Sequence, residues 1–315
     1  MGYRYPKLSN LLTFEKTGDG YTVSNYLSGD RYYFSRRVAR FAMLLDGKRD
    51  PCRIPCTLSR EEVDQALAFL RREGLLRRSR FLRASPGTYC WTVFTPGRGK
   101  RPRIAASLFN GALLALFLPV FVLGVWLFFR DPPSLHDGHV FPGCLLGILT
   151  GLSLHELSHA AACLAYGGRV FEMGLLCRWL LPGAYVFMDA GPVEDNLKQA
   201  QINGAGIECN LLLTGLFLLL SAGSEEYSAL LLFAAMSNFE LALMNLLLVK
   251  GLDGFGVISE LLGMDDMDET PLLFPGRGEE MNPERRAICR VTALIQPALA
   301  VLIAINVMEV ILWIM

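Results

Sequence analysis

The chain has 315 residues, of which 52% are hydrophobic and 19% are charged, and its formal net charge is zero. This composition excludes disordered, collagen-like and coiled-coil proteins and argues against an ordinary soluble enzyme. Residues 1–104 contain 21 Lys and Arg against 9 Asp and Glu, whereas residues 105–315 contain 9 against 21. This asymmetry predicts two parts with different surroundings or partners.

The first predicted elements are strands followed by a helix, within residues 1–96. Residues 18–20, Gly-Asp-Gly, are typical of a turn between two strands. A strand over residues 32–34 leads into Ser35, which is a typical helix N-cap. Apolar residues then recur at helical spacing, and they predict a helix that ends at residues 46–47, Asp-Gly.

A second helix and a hairpin complete this predicted domain. Ser59 and Glu62 form a capping box, and apolar residues recur at helical spacing from there to Gly74. Residues 81–83 and 89–94 have the pattern of two hairpin strands. Helices followed by such a wing predict a small α+β, winged-helix-like domain in the cytoplasm. We expect it to bind no nucleic acid, because a winged helix alone does not imply DNA binding and its positive charge also suits anionic lipid.

The remainder of the chain is predicted to be embedded in a membrane. Residues 97–103 are a basic linker interrupted by Gly and Pro, and residues 104–129 then contain no charge. About 20 apolar residues cross a bilayer, so this segment is long enough for a tilted span. Four more segments have the composition of spans: 141–166, 206–222, 228–249 and 287–315. The sequence therefore predicts a mainly α-helical, multi-pass protein with about five transmembrane helices over residues 104–315.

Positively charged residues set the predicted orientation of these spans. The basic linker places the N-terminal domain in the cytoplasm, and the even-numbered spans return to basic residues at Arg169, Lys198 and Lys250. The first connection on the opposite side has a single Arg, Arg130. The sequence thus predicts a protein of the cell membrane with its N-terminus in the cytoplasm and its C-terminus outside.

The second predicted span contains an HExxH motif that begins at His155 and ends at His159. In a helix these two residues lie one turn apart on the same face, so both imidazoles can reach one Zn²⁺. Glu156 is rotated by about 100° from His155, which makes it a candidate catalytic base rather than a ligand. The alternative is a polar face packed against other spans, but burying these groups in a membrane is costly without a function.

A catalytic zinc site needs a third protein ligand and one open position. Asp253 is the best candidate, because Gly251 and Gly254 allow the chain after the fourth span to unwind and direct the carboxylate inward. Glu240 and Glu208, which both lie within spans, are the rival ligands, although either side chain can instead bond a neighbouring helix.

These residues resemble the motifs of the site-2 proteases, a family of polytopic intramembrane zinc metalloproteases. The family combines HExxH on one span with a later Asn-x-x-Pro-x-x-x-Leu-Asp-Gly. Asn245, Leu252, Asp253 and Gly254 match the second motif, whereas Leu248 stands where the family usually has Pro. The resemblance implies that the helix break falls later than usual in this chain, at Gly251.

Two further segments are similar to the same family, and the resemblance covers about residues 104–255. Residues 205–210, Ala-Gly-Ile-Glu-Cys-Asn, resemble the family's Ala-Gly-Pro-x-x-Asn, again without the proline. Residues 182–186 resemble its membrane-associated strand region, where substrate pairs as an extended chain. The implied reaction is zinc-assisted peptide hydrolysis with Glu156 as the base. Asn245 is then a candidate to bond the substrate backbone, with an interhelical hydrogen bond as the alternative.

The N-terminal domain resembles a second family, the PqqD-like peptide-recognition domains of pathways that make ribosomal peptides. The similarity lies in residues 32–50 and in the capped helix over residues 60–73. It implies that a leader peptide adds a strand to the edge of the domain's sheet. The net charge of +12 in residues 1–104 suits an acidic leader.

The sequence thus predicts an intramembrane zinc metalloendopeptidase that cleaves a membrane-associated peptide or protein. The expected role is maturation of a ribosomally synthesised peptide, by cleavage of its leader or precursor. The alternative enzymatic role is regulated intramembrane proteolysis of a membrane-anchored signalling protein. The alternative from another class is a non-catalytic peptide-binding adaptor, exporter component or immunity protein, and the intact Glu156 argues against it. The predicted partners are the substrate, a precursor peptide bound by the N-terminal domain, and the lipid bilayer.

Overall fold

The computed structural model describes residues 2–26, 28–85, 87–96, 100–132, 140–178, 181–263 and 283–314. The chain divides into two compact units. The first unit comprises Met1–Pro96 and Phe171–Phe187, and the second comprises Gly97–Val170 and Met188–Met315. The boundary after Pro96 adjoins the predicted linker. The first unit also includes a segment that the sequence analysis placed in the membrane domain.

The first unit is made of strands and two helices, arranged in three sheets. Its elements are β1 (Gly2–Leu8), β2 (Leu12–Thr17), β3 (Gly20–Asn25), β4 (Arg31–Ser35), α1 (Arg36–Met43), a 3₁₀ turn (Pro51–Arg53), α2 (Arg60–Arg72), β5 (Leu76–Ser79), β6 (Phe81–Ser85), β7 (Thr88–Phe94), β8 (Arg169–Arg178) and β9 (Leu181–Asp189). The sheets have the strand orders β1-β5, β2-β3-β4 and β6-β7-β8-β9.

The predicted helix starts of the first unit are confirmed. The Val38 amide donates to the Ser35 hydroxyl at the start of α1. At the start of α2, the Glu62 amide donates to the Ser59 hydroxyl (3.2 Å) and the Ser59 amide donates to the Glu62 carboxylate (2.6 Å). Both helices bury the apolar faces that their spacing predicted, and the fully buried Phe41 and Leu70 belong to the shared core.

The predicted wing is part of a larger sheet than the sequence indicated. Strands β6 and β7 form the predicted hairpin, and β7 then pairs antiparallel with β8, with Trp91 opposite Leu175 and Thr92 opposite Gly174. Strand β9, which contains the segment likened to a membrane-associated strand region, completes the sheet at its edge. A hairpin between two membrane helices therefore belongs to the N-terminal unit, because β7 supplies its backbone partners.

The second unit is helical, and four of its described helices are long and apolar enough to cross a membrane. Its helices are α3 (Lys100–Arg130), α4 (Val140–Ala165), α5 (Asn196–Ala222), α6 (Ser228–Asn245), α7 (Asp253–Leu262) and α8 (Pro283–Ile314). The four candidate spans are α3 from Pro102 onward, α4, α5 and α6. The predicted fifth span forms α8, and among the residues whose side chains the structure describes its apolar stretch is Ala293–Ile305. About 20 residues are needed to cross a bilayer, so the structure supports four spans and the fifth stays a prediction.

Small residues bring the spans close together around α4. A Cβ added at Gly147 of α4 would lie 2.6 Å from the Ala234 carbonyl oxygen of α6, so only glycine permits this approach. The Asn238 side chain then donates to the Gly147 carbonyl oxygen (3.1 Å) and to the Ala234 carbonyl oxygen (2.9 Å). These contacts fix the position of the helix that contains the HExxH motif.

Candidate metal centre

The structure brings the two histidines and the predicted aspartate together. His155 and His159 lie one turn apart on α4, and their Nε2 atoms are 3.2 Å from each other. Oδ2 of Asp253, the first residue of α7, lies 3.0 Å from His155 Nε2 and 3.3 Å from His159 Nε2. The three side chains are largely buried, and among the described residues they form the one such group of ligand atoms. The predicted ligand set is therefore assembled in space.

The chain between α6 and α7 places Asp253. Helix α6 ends at Asn245, which is earlier than the predicted break at Gly251. The irregular segment that follows turns at Gly251, whose φ of +98° lies in the left-handed region that favours glycine. A Cβ at Gly254 would lie 2.8 Å from the Asn245 carbonyl oxygen, so the first turn of α7 packs directly against the end of α6.

The Nδ1 atom of each imidazole faces a protein acceptor. His159 Nδ1 lies 2.7 Å from the Ile202 carbonyl oxygen and therefore bears the proton. His155 Nδ1 lies 3.1 Å from the Asn210 side-chain amide, and this amide places its buried Oδ1 away from any other donor among the described residues. The N and O positions of an amide are assigned from the hydrogen-bond network, and turning this amide over gives the buried Oδ1 an N–H donor. Both rings are thus held as Nδ1–H tautomers.

This tautomer leaves three electron-pair donors facing one another. The two Nε2 lone pairs point toward Asp253 Oδ2, which is buried and has no hydrogen-bond donor in the described part of the chain. A cation removes this repulsion. The corners of the triangle lie about 1.8 Å from its centre, so a point 2.0–2.1 Å from all three atoms exists, as Zn²⁺ requires. Two imidazoles and a carboxylate therefore fit Zn²⁺ and related divalent transition metals.

Helix α5 forms the opposite wall of this centre. A Cβ at Gly206 would lie 2.4 Å from His155 Cε1 and 2.5 Å from His159 Nε2, so glycine is required here. The same helix supplies the Ile202 carbonyl and the Asn210 amide. The sequence analysis gave no role to these three residues. The only signal was the match of residues 205–210 to a family motif, because the contacts join helices that are distant in sequence.

The remaining predicted site residues lie in different surroundings. Glu156 is half-buried on α4 and interacts electrostatically with His159. The Asn245 amide donates to the Leu241 carbonyl oxygen of its own helix (3.0 Å), so its role toward substrate stays a prediction. Of the rival ligands, Glu208 accepts a hydrogen bond from Gln201 (3.3 Å), and neither it nor Glu240 belongs to the ligand group found among the described residues. Residues 136 and 139, the other histidines, lie outside the described residues.

Comparison of the chain with protein-family models, with curated proteins and with solved structures gave no match. The resemblance to the site-2 proteases therefore depends on the residues of this chain alone, in the HExxH motif and in the later motif that ends at Gly254.

Proposed function

We propose that this protein is an intramembrane zinc metalloendopeptidase of the site-2 protease type. The observation that supports it best is the convergence of His155 Nε2, His159 Nε2 and Asp253 Oδ2 beside an acidic residue that is not a ligand. A purely structural metal site has no need of Glu156 as a base. The apolar helices on either side of the centre favour a substrate that is itself associated with the membrane.

The protein's own residues divide the work of hydrolysis. His155, His159 and Asp253 would hold Zn²⁺, which would supply a Lewis acid for lowering the pKa of water and polarising the scissile carbonyl. Glu156 accepts a proton as the water oxygen bonds to the carbonyl carbon, and it returns that proton to the nitrogen when the C–N bond breaks. The Ile202 carbonyl and the Asn210 amide hold the imidazoles in the required tautomer and orientation.

The proposed substrate is a precursor of a ribosomally synthesised peptide. The support is the basic N-terminal unit, whose sheets have edge strands to which an extended leader can pair, and its charge, which suits an acidic leader. In the proposed arrangement this unit lies in the cytoplasm, the protein is in the cell membrane, and Asn245 bonds the substrate backbone.

The test is cleavage by the full-length protein loaded with Zn²⁺ in lipid vesicles. A mixture of peptides from a proteome digest serves as the probe, and new termini are identified by mass spectrometry. We expect wild type to cleave peptides, and we expect Glu156→Gln to bind the same amount of zinc while cleaving about 100-fold or more slowly. Equal cleavage by both proteins would contradict the proposal. Cleavage restricted to peptides that derive from membrane-spanning segments would instead favour regulated intramembrane proteolysis.

A further inference from the structure

A cavity of about 400 Å³ lies in the membrane unit and has no part in the mechanism above. Its walls come from α3, α5, α7, α8 and the segment that follows α6. The lining residues are apolar apart from Glu208 and Gln296: Phe117, Gly204, Ile207, Leu211, Leu246, Leu248, Gly254, Val257, Ile258, Ile295 and Leu299. The lining contains no cationic side chain.

This cavity is next to the candidate metal centre. Gly254 in its wall directly follows the ligand Asp253, and Ile207 directly follows Gly206, which touches both imidazole rings. Glu208 is close enough to His159 for an electrostatic interaction. A peptide whose scissile bond lies at the metal centre can therefore place a neighbouring side chain in the cavity.

Glu208 is the unusual member of the lining. One carboxylate oxygen accepts a hydrogen bond from Gln201 (3.3 Å), and the other has no hydrogen-bond or ion-pair partner among the described residues. A carboxylate in an apolar wall within a membrane helix is costly unless an opposite charge pairs with it. No lining residue supplies that charge, and His159 behind the wall interacts with Glu208 only electrostatically, so a bound cationic group can pair with this carboxylate.

A hydrogen bond within the protein holds another part of the wall in place. The Gln296 side chain on α8 accepts a hydrogen bond from the Leu248 amide (2.9 Å) and so fixes the irregular segment that leads to Asp253. The cavity is thus a shaped site with apolar walls and a single acidic group. A long apolar stem with a positive tip fits these walls, as in Lys and Arg side chains.

We infer that this cavity is a specificity site that takes a Lys or Arg side chain of the substrate, close to the scissile bond. The apolar walls pack the methylene stem, and Glu208 pairs with the charged tip. The inference rests on the proposed peptidase function. The acidic surplus of residues 105–315, 21 Asp and Glu against 9 Lys and Arg, favours the same class of substrate segment.

The experiment profiles cleavage sites in the proteome-derived peptide mixture with full-length, zinc-loaded protein. For wild type we expect Lys and Arg to be enriched at one fixed position near the cleaved bond. In Glu208→Gln we expect kcat/KM for peptides with Lys at that position to fall about tenfold or more, with little change for matched norleucine peptides. Glu208→Asp should retain part of the preference, because it keeps the charge on a shorter stem.

Glu240→Gln is the matched control. It also removes a carboxylate from a predicted span, but Glu240 does not line the cavity. It should leave the Lys preference unchanged. If wild type cleaves peptides without enrichment of Lys or Arg near the cleaved bond, the specificity site is wrong but the peptidase function still holds. An equal loss for Lys and norleucine peptides in Glu208→Gln would show that Glu208 is structural only. No cleavage by zinc-loaded wild type would overturn the proposed function and this inference with it.

Discussion

Two glycines that lie two residues apart on α5, and so point to different sides of the helix, differ sharply in the space around them. A Cβ at Gly206 would collide with both imidazole rings, whereas the nearest atom to a Cβ at Gly204 is Val257 Cγ2 at 3.5 Å, an ordinary contact. We expect Gly206→Ala to lower zinc binding about tenfold or more, because the ligand rings must move. Gly204→Ala should bind zinc normally, since alanine also favours the helix. Metal content after dialysis against a chelator distinguishes the two variants, and equal content would contradict the assigned wall.

The Asn210 amide contacts His155 Nδ1, whereas the Nε2 atom of the same ring faces Asp253. Removing it in Asn210→Ala leaves the Nδ1–H of His155 buried and unpartnered, and we expect zinc affinity to fall about 10- to 100-fold. Asn210→Asp keeps an oxygen acceptor and should recover most of the affinity. Competition with a chromophoric chelator measures both values. Unchanged affinity in Asn210→Ala would mean that this hydrogen bond does not fix the ring.

At the residue scale the sequence predicted which three side chains come together, but not their surroundings. His155 and His159 follow from helical spacing alone, and Asp253 follows from its position after a span beside Gly251 and Gly254. The contributions of Gly206 and Asn210 depend on how α4 and α5 approach each other, and no local pattern encodes that approach. The distant amide partner of His155 is visible only once the two helices are packed together.

At the scale of elements, the main departure from the sequence analysis is the sheet shared by β7 and β8. A strand pair whose members are about 80 residues apart is not specified by any turn or local repeat, so the hairpin β8–β9 was assigned to the membrane domain. Because β8 pairs with β7, Glu172 of β8 is completely buried within the N-terminal unit. Arg77 and Asn10 donate hydrogen bonds to one oxygen of Glu172, and the Thr92 and Tyr185 hydroxyls donate to the other.

This buried cluster makes a specific stability prediction. Glu172→Ala removes the partner of the buried Arg77 charge, and such a loss typically destabilises a protein by about 3–5 kcal/mol. Burial raises the pKa of the Tyr185 phenol, so it remains protonated and also loses its acceptor. We expect faster hydrogen exchange of the β7 and β8 amides, measured by mass spectrometry. Combining Glu172→Leu with Arg77→Met should restore much of the protection, because it leaves no unpaired charge.

At the scale of the whole molecule, the surplus of Lys and Arg lies in residues 1–104 and the acidic surplus lies in residues 105–315. The basic linker precedes the first span, where positive charge favours the cytoplasmic side. The same surplus suits an acidic leader or an anionic lipid surface. The sequence predicted this division of charge directly, because composition alone determines it. The number of spans is less directly encoded, because α8 is long but contains polar residues such as Gln296.

The position of the C-terminus depends on whether α8 crosses the membrane. Gln296 on α8 bonds the Leu248 amide, and Ile295 and Leu299 line the cavity beside the candidate metal centre, so this helix packs against the candidate spans. With α8 as a fifth span, reporters fused after residue 100 and after Met315 should lie on opposite sides, the first in the cytoplasm. Alkaline phosphatase and green fluorescent protein, each fused separately at both positions, show on which side of the membrane each position lies. Reporters on the same side would mean that only α3, α4, α5 and α6 span the bilayer and that α8 enters it without crossing.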